Sequence, residues 1–243
     1  LWYVNAVWQF LKYTGDFSFV REQLWENLKL VIEHYVNGTS FGIRLDEDGL
    51  VSHGPQLTWM DTVGTPRGGK AVEVQALWYN ALRVMEFLAN RFREEGKAEE
   101  YARMAGKAEK SFCEKFWNSE RNCLFDAVNV NGSDASLRPN QIIAVALDFT
   151  MLDDAKSEKI VDVIQSELLT PYGLRTLARN DRGYVGVYSG DRGSRDRAYH
   201  NGTVWPWLLG PFTTAFLKVK DYSDFRREYA LKRFLKPLLT EQI

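Results

Sequence analysis

Residues 71–93, AVEVQALWYNALRVMEFLANRFR, decide the fold class of this 243-residue chain. Apart from a basic tail, the segment is poor in charge and apolar over most of a helical circumference. The next helical segment, residues 98–117, AEEYARMAGKAEKSFCEKFW, carries charge on one face and an apolar stripe on the other. A helix that is apolar all round is buried, whereas a one-sided helix lies on an exterior. The two segments therefore predict a helical hairpin with one buried and one outer helix.

The same alternation of helix types runs along the whole chain. Segments near 1–14, 139–152 and 203–219 resemble the buried helix, and segments near 17–36, 154–168 and 223–240 resemble the outer one. The buried helices start at intervals of roughly 65 residues, a period loose enough to hold long loops. This pattern describes stacked helical hairpins, with one helix of each pair inside and its partner outside.

A stack of about four hairpins leaves its end faces uncovered, whereas a toroid of six inner and six outer helices closes on itself. An α-solenoid is the structural alternative, but its repeats resemble one another in sequence and these segments do not. We therefore predict an all-α fold, an incomplete (α/α)6 barrel forming one domain over residues 1–243. Leu1 lies inside a helical pattern and Ile243 follows no stop signal, so we expect N- and C-terminal parts of the polypeptide to be missing.

Composition limits the classes of function. The 31 Lys and Arg residues nearly balance the 32 Asp and Glu residues, so no net field attracts the chain to nucleic acid or to an anionic membrane. No apolar run reaches the length of a membrane span. The two cysteines form no CxxC pattern and fit a reducing compartment. We expect a cytoplasmic protein with neither nucleic acid nor membrane as a partner.

Residues 198–207, AYHNGTVWPW, are the most informative stretch for function. They combine Tyr199, His200, Asn201, Trp205 and Trp207 immediately before an apolar helix. Aromatic rings stack on the C–H faces of a pyranose, while imidazole and amide groups bind its hydroxyls. A Trp-rich core corner is the alternative, but it has little use for the imidazole and the amide. The stretch leaves the two interpretations open.

Other unusual polar residues fall at the starts of predicted buried helices. Asp61 and Glu73 flank the start of the second, Arg138-Pro139-Asn140-Gln141 opens the third, and residues 200–202 open the fourth. In a toroid these N-terminal ends meet at one mouth, where free N–H groups offer hydrogen bonds to a polyhydroxyl ligand. Helix capping explains each position singly. It does not explain why tryptophans and carboxylates gather at the same ends.

Carboxylates at this mouth suggest acid–base chemistry. In QLTWMD, residues 56–61, Asp61 stands near Trp59, an environment able to raise a carboxylic acid's pKa; the alternative is a loop or N-cap aspartate. Glu73 lies in an apolar helical run and requires a ligand or a partner such as Arg67 or Lys70. The segment 169–176, LTPYGLRT, places a ring and the guanidinium of Arg175 on what is otherwise an ordinary turn.

No metal or cofactor is expected. His34, His53 and His200 are scattered at no ligand spacing. Residues 64–70 do not form a phosphate-binding loop, because Lys70 is followed by Ala71.

Five ordered motifs carry a family resemblance. They are LTWMD (57–61), TPRGGKAVEVQALWYNAL (65–82), RPNQIIAVAL (138–147), LLTPYGLRTL (168–177) and AYHNGTVWPWLLGPF (198–212). With these motifs the chain resembles the C-terminal amylo-α-1,6-glucosidase domain of glycogen debranching enzymes, particularly the prokaryotic type. The order of the motifs is far more specific than any one of them.

The resemblance implies an (α/α)6 barrel that hydrolyses, by inversion, the α-1,6-linked glucose left at a branch of glycogen, starch or limit dextrin. Inversion requires a protonated acid on the leaving oxygen and a second carboxylate, about 6.5–9.5 Å away, that activates water. The resemblance makes Asp61 the general acid and lets Glu73 bind sugar or hold Asp61. The residues that it implies in the glucose pocket are Gln56, Trp59, Asn140, Arg175, Tyr199, His200, Asn201, Trp205 and Trp207.

Two departures from the family pattern bear on mechanism. Only residues 62–64 separate LTWMD from the next motif, where the family usually has a longer insertion, so the loop presenting Asp61 is short. The family's base glutamate falls beyond Ile243, which predicts that the isolated chain is inactive on branched glucans. If the chain is active, Glu73, Asp191 and Asp196 become the candidate bases.

The sequence leaves three alternative functions. A glucoamylase- or trehalase-like inverting glucosidase would differ in its action on isomaltose, maltose and trehalose. A glucan-binding module without chemistry would be unaffected by Asp61→Asn. An isoprenoid cyclase also uses helical toroids, but it requires a DxDD-type or magnesium-binding cluster that this sequence does not contain.

Overall fold

A computed structural model describes residues 1–241, so Gln242 and Ile243 of the predicted domain lie outside the described residues. Helices dominate, which confirms the helical class. In chain order they are α1 (Trp2–Thr14), α2 (Phe17–Phe19), α3 (Trp25–Asn37), α4 (Val72–Phe92), α5 (Glu95–Phe116), α6 (Ile142–Ala146), α7 (Asp154–Glu167), α8 (Arg192–Tyr199), α9 (Leu209–Val219), α10 (Asp224–Ala230) and α11 (Lys236–Glu241). The π-helical turns Val20–Leu24 and Leu231–Leu235 and the 3-10 turns Pro139–Gln141 and Pro206–Leu208 lie between or before these helices.

Short antiparallel strands, which the sequence analysis did not predict, lie in the connections between helices. They are β1 (Arg44–Leu45), β2 (Val51–Ser52), β3 (Lys70–Ala71), β4 (Trp117–Asn118), β5 (Cys123–Leu124), β6 (Ala127–Asn129), β7 (Gly132–Asp134), β8 (Leu169–Thr170), β9 (Gly173–Arg175) and β10 (Val204–Trp205). They form the sheets β1-β2, β3-β6-β7, β4-β5 and β8-β9-β10. The hydrogen bonds of these sheets hold the connecting loops in place between the helices.

The pair α4 and α5 forms the hairpin that its periodicity predicts. Extended backbone at Ala71 leads into α4, and Arg93 ends the helix in the left-handed conformation, with φ 65°. Most of α4 is buried, whereas α5 buries one stripe that includes Tyr101, Ala105 and Phe112. The two helices pack along each other.

Packing between hairpins follows chain order. Helix α1 packs on α4, α4 packs on α6, and α6 packs on α9. Helix α7 contacts both α6 and α9. The buried apolar side chains of these helices form one contiguous core. Within residues 1–241, no helix is long and apolar enough to cross a membrane.

The third predicted buried helix is much shorter than the sequence analysis expected. Instead of running over residues 139–152, it consists of a 3-10 turn and α6, and the backbone becomes extended at Leu147. Asp148 instead accepts hydrogen bonds from Trp8, Gln9 and Lys12 of α1. These tertiary contacts hold the segment outside a helix.

The fourth predicted buried helix starts later than expected. Residues 203–208 form β10 and a 3-10 turn before α9 begins at Leu209. The residue before a proline is driven towards extended backbone, and Trp205, which precedes Pro206, has φ −119° and ψ 112°. The backbone N–H of Thr176 also bonds to the carbonyl of Thr203 at 3.0 Å. The start of this segment is therefore a strand, and neither Asn201 nor Thr203 caps the helix.

Candidate functional site

Trp59 is the centre of an aromatic cluster built from segments far apart in sequence. Its indole N–H donates to Oδ1 of Asn140 at 2.8 Å. Its ring centroid lies 5.4 Å from that of His200, 5.4 Å from that of Trp205 and 5.1 Å from that of Trp207, in edge-to-face arrangements. The loop after β2, the turn before α6 and the segment before α9 thus converge at one place.

His200 is fully buried within this cluster. Its ring is stacked on Trp205 with a centroid separation of 5.4 Å, and Nδ1 lies 3.3 Å from the hydroxyl oxygen of Thr62. Burial lowers the pKa of His200 to about 4, and the carboxylate of Asp61 opposes this shift only in part. The imidazole is therefore neutral near pH 7 and serves as a hydrogen-bonding group rather than a cation.

Arg138 fixes the backbone around His200. Its guanidinium donates to the carbonyl of His200 at 2.6 Å, to the carbonyl of Thr176 at 3.1 Å and to Oδ1 of Asn201 at 2.9 Å. The amide N–H₂ of Asn201 in turn donates to the carbonyl of Gly64 at 3.0 Å. The side-chain hydrogen bonds of Asn201 thus connect neighbouring loops. The sequence analysis expected this residue to bind substrate.

A buried ionic network lies beneath Trp59. Arg67 binds both carboxylate oxygens of Glu73, at 2.6 and 2.7 Å, and reaches Asp126 at 2.5 Å. Asn140 donates to the other oxygen of Asp126 at 2.7 Å. Of the two partners considered for Glu73, the structure selects Arg67, whereas Lys70 pairs with Asp46 and Asp48.

Opposite charges in this network stabilise one another's ionised forms. Burial alone would lower the pKa of Arg67, but the carboxylates of Asp126 and Glu73 outweigh burial and raise that pKa. Burial raises the pKa of Asp126, and the positive charges of Arg67 and Arg138 act against that rise. The network places two carboxylates and two guanidinium groups together, which is the condition under which charges tolerate burial.

Asp126 is the principal residue that the sequence analysis missed. It is nearly inaccessible to solvent, and its carbonyl accepts the backbone N–H of Val72 at the start of α4. The available signal was a lone carboxylate within the apolar run 123–128, CLFDAV. Such a residue requires a buried partner, but nothing in the local pattern indicates that the partner is Arg67.

Asp61 lies at the edge of the cluster with an exposed side chain. Its backbone carbonyl accepts the side-chain N–H of Gln56 at 3.2 Å, and Gln56 itself has a positive φ of 62°. The sequence analysis considered Trp59 as an apolar neighbour of Asp61 and kept a loop or N-cap aspartate as the alternative. In the structure the Asp61 side chain is exposed to solvent, and its negative charge acts on His200.

Arg175 and Tyr199 approach the cluster from neighbouring elements. Arg175 ends β9 and pairs with Val204 of β10, next to Trp205. A Cβ atom at Gly173, where φ is 154°, would lie 2.6 Å from the carbonyl carbon of Trp205, so only glycine fits this close approach. The ring of Tyr199 packs edge-on against Trp205, with centroids 5.1 Å apart.

Two cavities adjoin the cluster. Trp59 and Glu73 line one of about 230 Å³, and Trp207 lines another of about 340 Å³ between α1, α6 and α9. Within residues 1–241, no group of three His, Cys, Asp or Glu side chains is arranged to hold a metal ion. The arrangement offers exposed aromatic faces, neutral hydrogen-bonding groups and one exposed carboxylate.

Comparisons with known proteins find the following similarities. A family model described as "Amylo-alpha-1,6-glucosidase" matches residues 1–242. The chain is 26% identical over 264 residues to the glycogen debranching enzyme of Saccharomyces cerevisiae, covering 87% of this chain and 17% of that protein. It is 23% identical over 225 residues to the N,N'-diacetylchitobiose phosphorylase of Vibrio furnissii, covering 86% of this chain and 28% of that protein.

A solved structure described as "Sialidase" resembles this fold with a TM-score of 0.72 at 15% identity, covering 97% of this chain and 22% of that one. This likeness concerns the fold alone. The chain thus spans less than a third of the length of each of these three proteins.

Proposed function

The chain belongs to the amylo-alpha-1,6-glucosidase family, as its five motifs indicated, and from this membership we propose that it cleaves single α-1,6-linked glucose residues from glycogen, starch or limit dextrin. The observation that carries the proposal is the convergence of Trp59, His200, Trp205 and Trp207 beside an exposed Asp61. This combination of stacking faces, neutral hydrogen-bonding groups and one carboxylic acid suits hydrolysis of a glycosidic bond.

We propose that α1, α4, α6 and α9 are consecutive inner helices of an (α/α)6 barrel of which this chain forms about four hairpins. Their packing in chain order supports this arrangement. The convergence of the turns before α6 and α9 on Trp59 also agrees with inner helices whose N-terminal ends share one mouth.

Asp61 is the proposed general acid. It follows Trp59 on a short loop, and its side chain is free to reach a bound glycosidic oxygen because it is exposed. In the proposed step the bond between C1 and the leaving oxygen breaks, and the Asp61 proton moves to that oxygen. Tyr199 and Trp207, which are 38% and 41% exposed, offer ring faces to the glucan.

The second carboxylate is proposed to come from outside these 243 residues. Both oxygens of Glu73 bind Arg67, and the oxygens of Asp126 bind Arg67 and Asn140. Asp191 caps α8 by accepting the backbone N–H of Ser194 at 2.8 Å. Arg67, Asn140 and the N-terminus of α8 hold these carboxylates in place, whereas a base must be free to take a proton from water. Asp196, the remaining candidate within the chain, lies half-buried on α8, and turnover in water alone would assign it the role of base.

Azide tests the acid without requiring the base. Azide carries no proton, so its nitrogen can attack C1 while the Asp61 proton goes to the leaving oxygen. We expect the chain to convert isomaltose and azide into β-glucosyl azide, and we expect Asp61→Asn to abolish this product. The exposed Asp224→Asn on α10 is the matched control.

Each outcome of the azide experiment has a definite meaning. Formation of the α-azide would contradict inversion, and equal rates in wild type and Asp61→Asn would favour a glucan-binding module without chemistry. Turnover of isomaltose in water alone would contradict the placement of the base. Rates on maltose and trehalose distinguish a glucoamylase- or trehalase-like specificity.

Phosphorolysis is a second candidate. Its support is the 23% identity to a phosphorylase, together with the absence of an uncommitted buried carboxylate in the network around Trp59. Inorganic phosphate attacks C1 directly and needs no protein base. Replacing azide by phosphate and finding β-glucose 1-phosphate would select this reaction over hydrolysis.

A further inference from the structure

Three Asn-Gly pairs occur in the chain, Asn37-Gly38, Asn131-Gly132 and Asn201-Gly202. Such a pair can react with itself, because glycine has no side chain to shield its backbone nitrogen. That nitrogen attacks Cγ of the asparagine, the bond from Cγ to the amide nitrogen breaks, and the amide group leaves as ammonia with the proton of the glycine N–H. Water then opens either carbonyl of the resulting five-membered imide. The products are aspartate and isoaspartate, and water is the only co-reactant.

Folding decides which of these pairs can react. The peptide after the asparagine must rotate about the Cα–C bond until Cγ and the glycine nitrogen can join one ring. A side-chain amide or a glycine N–H that is hydrogen-bonded must first give up its bonds. Each hydrogen bond that is lost without replacement slows the reaction about fivefold.

Hydrogen bonds hold Asn201-Gly202 in an unreactive arrangement. The amide nitrogen of Asn201 donates to the carbonyls of Gly64 at 3.0 Å and Arg197 at 2.9 Å, and its amide oxygen accepts from a guanidinium at 2.9 Å. The attacking nitrogen is held as well, since the N–H of Gly202 donates to Oγ1 of Thr176 at 2.9 Å. Both residues of the pair are buried. The fold therefore protects this pair.

A helix restrains Asn37-Gly38. Asn37 is the last residue of α3, so rotation of its peptide requires the final helical turn to open. Its side chain is exposed, and helix ends fray readily. We expect this pair to react faster than the buried pair and more slowly than a pair in an open turn.

Neither restraint acts on Asn131-Gly132. Val130 and Asn131 form the two-residue loop between β6 and β7, where Asn129 pairs with Gly132, and all four residues are exposed. Within residues 1–241 the backbone N–H of Asn131 donates to Oδ1 of Asn129 at 2.8 Å, and its side-chain amide forms no hydrogen bond. A Cβ atom at Gly132 would meet nothing within 4 Å. The amide thus has room to turn onto the glycine nitrogen.

We propose that Asn131 is the principal site at which this chain deamidates. This chemistry does not depend on the proposed reaction with glucan. Isoaspartate in the two-residue loop adds a methylene to the backbone between β6 and β7, a connection whose length sets their register. The N–H of Asp126 donates to the carbonyl of Asp134 at 2.8 Å, at the other end of this hairpin. The altered hairpin therefore adjoins the buried ionic network.

Heavy-oxygen water labels each product as the imide opens. Folded chain and a guanidinium-denatured sample are kept at pH 8 in this water, and their peptides are compared by mass spectrometry. In the denatured sample the three pairs should gain label at similar rates. In the folded chain Asn131 should react within about tenfold of its denatured rate, because only the end of the hairpin must open. Asn201 should slow by at least about a hundredfold, because its side chain and the Gly202 N–H must release their hydrogen bonds.

Asn131→Gln assigns the label, because one proteolytic peptide can contain Asn122 and Asn129 as well. Glutamine would have to close a larger ring, so this variant should lose the label in that peptide. Asn129→Gln is the matched control and should keep it. An isoaspartyl methyltransferase, which transfers a methyl group from S-adenosylmethionine to the isoaspartate carboxylate, gives a second readout. Aged wild type should accept several times more methyl groups than aged Asn131→Gln.

Three results would overturn the proposal. Faster labelling of Asn37 or Asn201 than of Asn131 in the folded chain would place the principal site elsewhere. Folding that slows Asn131 as strongly as Asn201 would show that the hairpin restrains the pair. Label that persists in Asn131→Gln would assign the reaction to another asparagine of the peptide.

Discussion

The indole N–H of Trp59 donates a 2.8 Å hydrogen bond to the amide oxygen of Asn140, 81 positions further along the chain. Asn140 also donates to the buried carboxylate of Asp126 at 2.7 Å. One fully buried amide thus connects the aromatic cluster to the ionic network. Since an amide has both an acceptor and two donors, asparagine satisfies both neighbours at once.

Replacing Asn140 by alanine should therefore leave two polar partners unsatisfied. We expect Asn140→Ala to lower the free energy of unfolding by about 3 kcal/mol, measured by urea denaturation. Asn131→Ala, on the exposed turn between β6 and β7, is the matched control and should change it by less than about 0.5 kcal/mol. Equal effects of the two substitutions would mean that Asn140 is not a structural link.

Substitution of Arg67 should lower the free energy of unfolding at least as much as substitution of Asn140. Removing it leaves the carboxylates of Glu73 and Asp126 buried without compensation, so Arg67→Met should cost about 3–5 kcal/mol of unfolding free energy. Arg67→Lys should also destabilise, because an ammonium cannot form the two-point contact with Glu73.

Denaturant titration at pH 7 measures both effects. Lys232→Met, which breaks an exposed pair with Glu228 on the last helical segments, should leave stability nearly unchanged. Adding Glu73→Gln to Arg67→Met should restore part of the loss, because it removes one uncompensated charge. No restoration would contradict the assigned ion pair.

The helical part of the fold could be predicted because its signal is local. In α4 most residues face the interior, so residues 71–93 predict a buried helix without knowledge of its neighbours. The convergence on Trp59 followed from a second regularity, since the unusual polar residues fall at corresponding places before successive buried helices. Pro139 lies in the first turn of its helix, as its fixed φ indicated.

The remainder depended on long-range contacts. Residues 147–152 have an apolar pattern, but the hydrogen bonds from α1 to Asp148 hold them outside a helix. Asp126 belongs to the network only because Arg67, 59 positions away, reaches it. The sequence analysis considered His53 only as a possible metal ligand. The burial of its ring, which leaves Nε2 without a hydrogen-bond partner among residues 1–241, depends on the fold.

His200 should make stability depend on pH. Its pKa is about 4 in the folded chain and about 6.5 when unfolded. Between these values the unfolded state binds the proton and the folded state does not, so stability falls as pH decreases from about 6.5 to about 4. This residue should account for about 3 kcal/mol of that loss.

Thermal unfolding of wild type and of His200→Gln should be compared between about pH 6.5 and about pH 4. The difference between the two separates the contribution of His200 to stability from that of the carboxylates. The variant should lose less stability on acidification, because glutamine does not titrate. His34→Gln, at an exposed position on α3, should follow the wild-type curve. Parallel curves for wild type and His200→Gln would contradict a buried neutral imidazole.

Gly173 should be intolerant of any side chain. Its φ of 154° and the 2.6 Å separation between a built Cβ atom and the carbonyl carbon of Trp205 predict that Gly173→Ala displaces β9 from β10. We expect a loss of more than about 2 kcal/mol in unfolding free energy. Gly106→Ala, in α5 with open space around its Cβ position, should instead stabilise by about 0.5–1 kcal/mol.

Trp207 should matter to sugar binding more than to folding. Its ring packs edge-on against Trp59 yet remains 41% exposed, so one face is available to a pyranose. We expect Trp207→Ala to weaken glucan binding about tenfold, since an aromatic contact contributes about 1 kcal/mol or more beyond burial. Calorimetric titration with isomaltose measures this effect. Phe225→Ala, 69% exposed on α10, is the control and should bind as wild type does, because aromatic exposure alone does not form a sugar site. Equal losses in the two variants would show that the cluster around Trp59 has no special part in recognition.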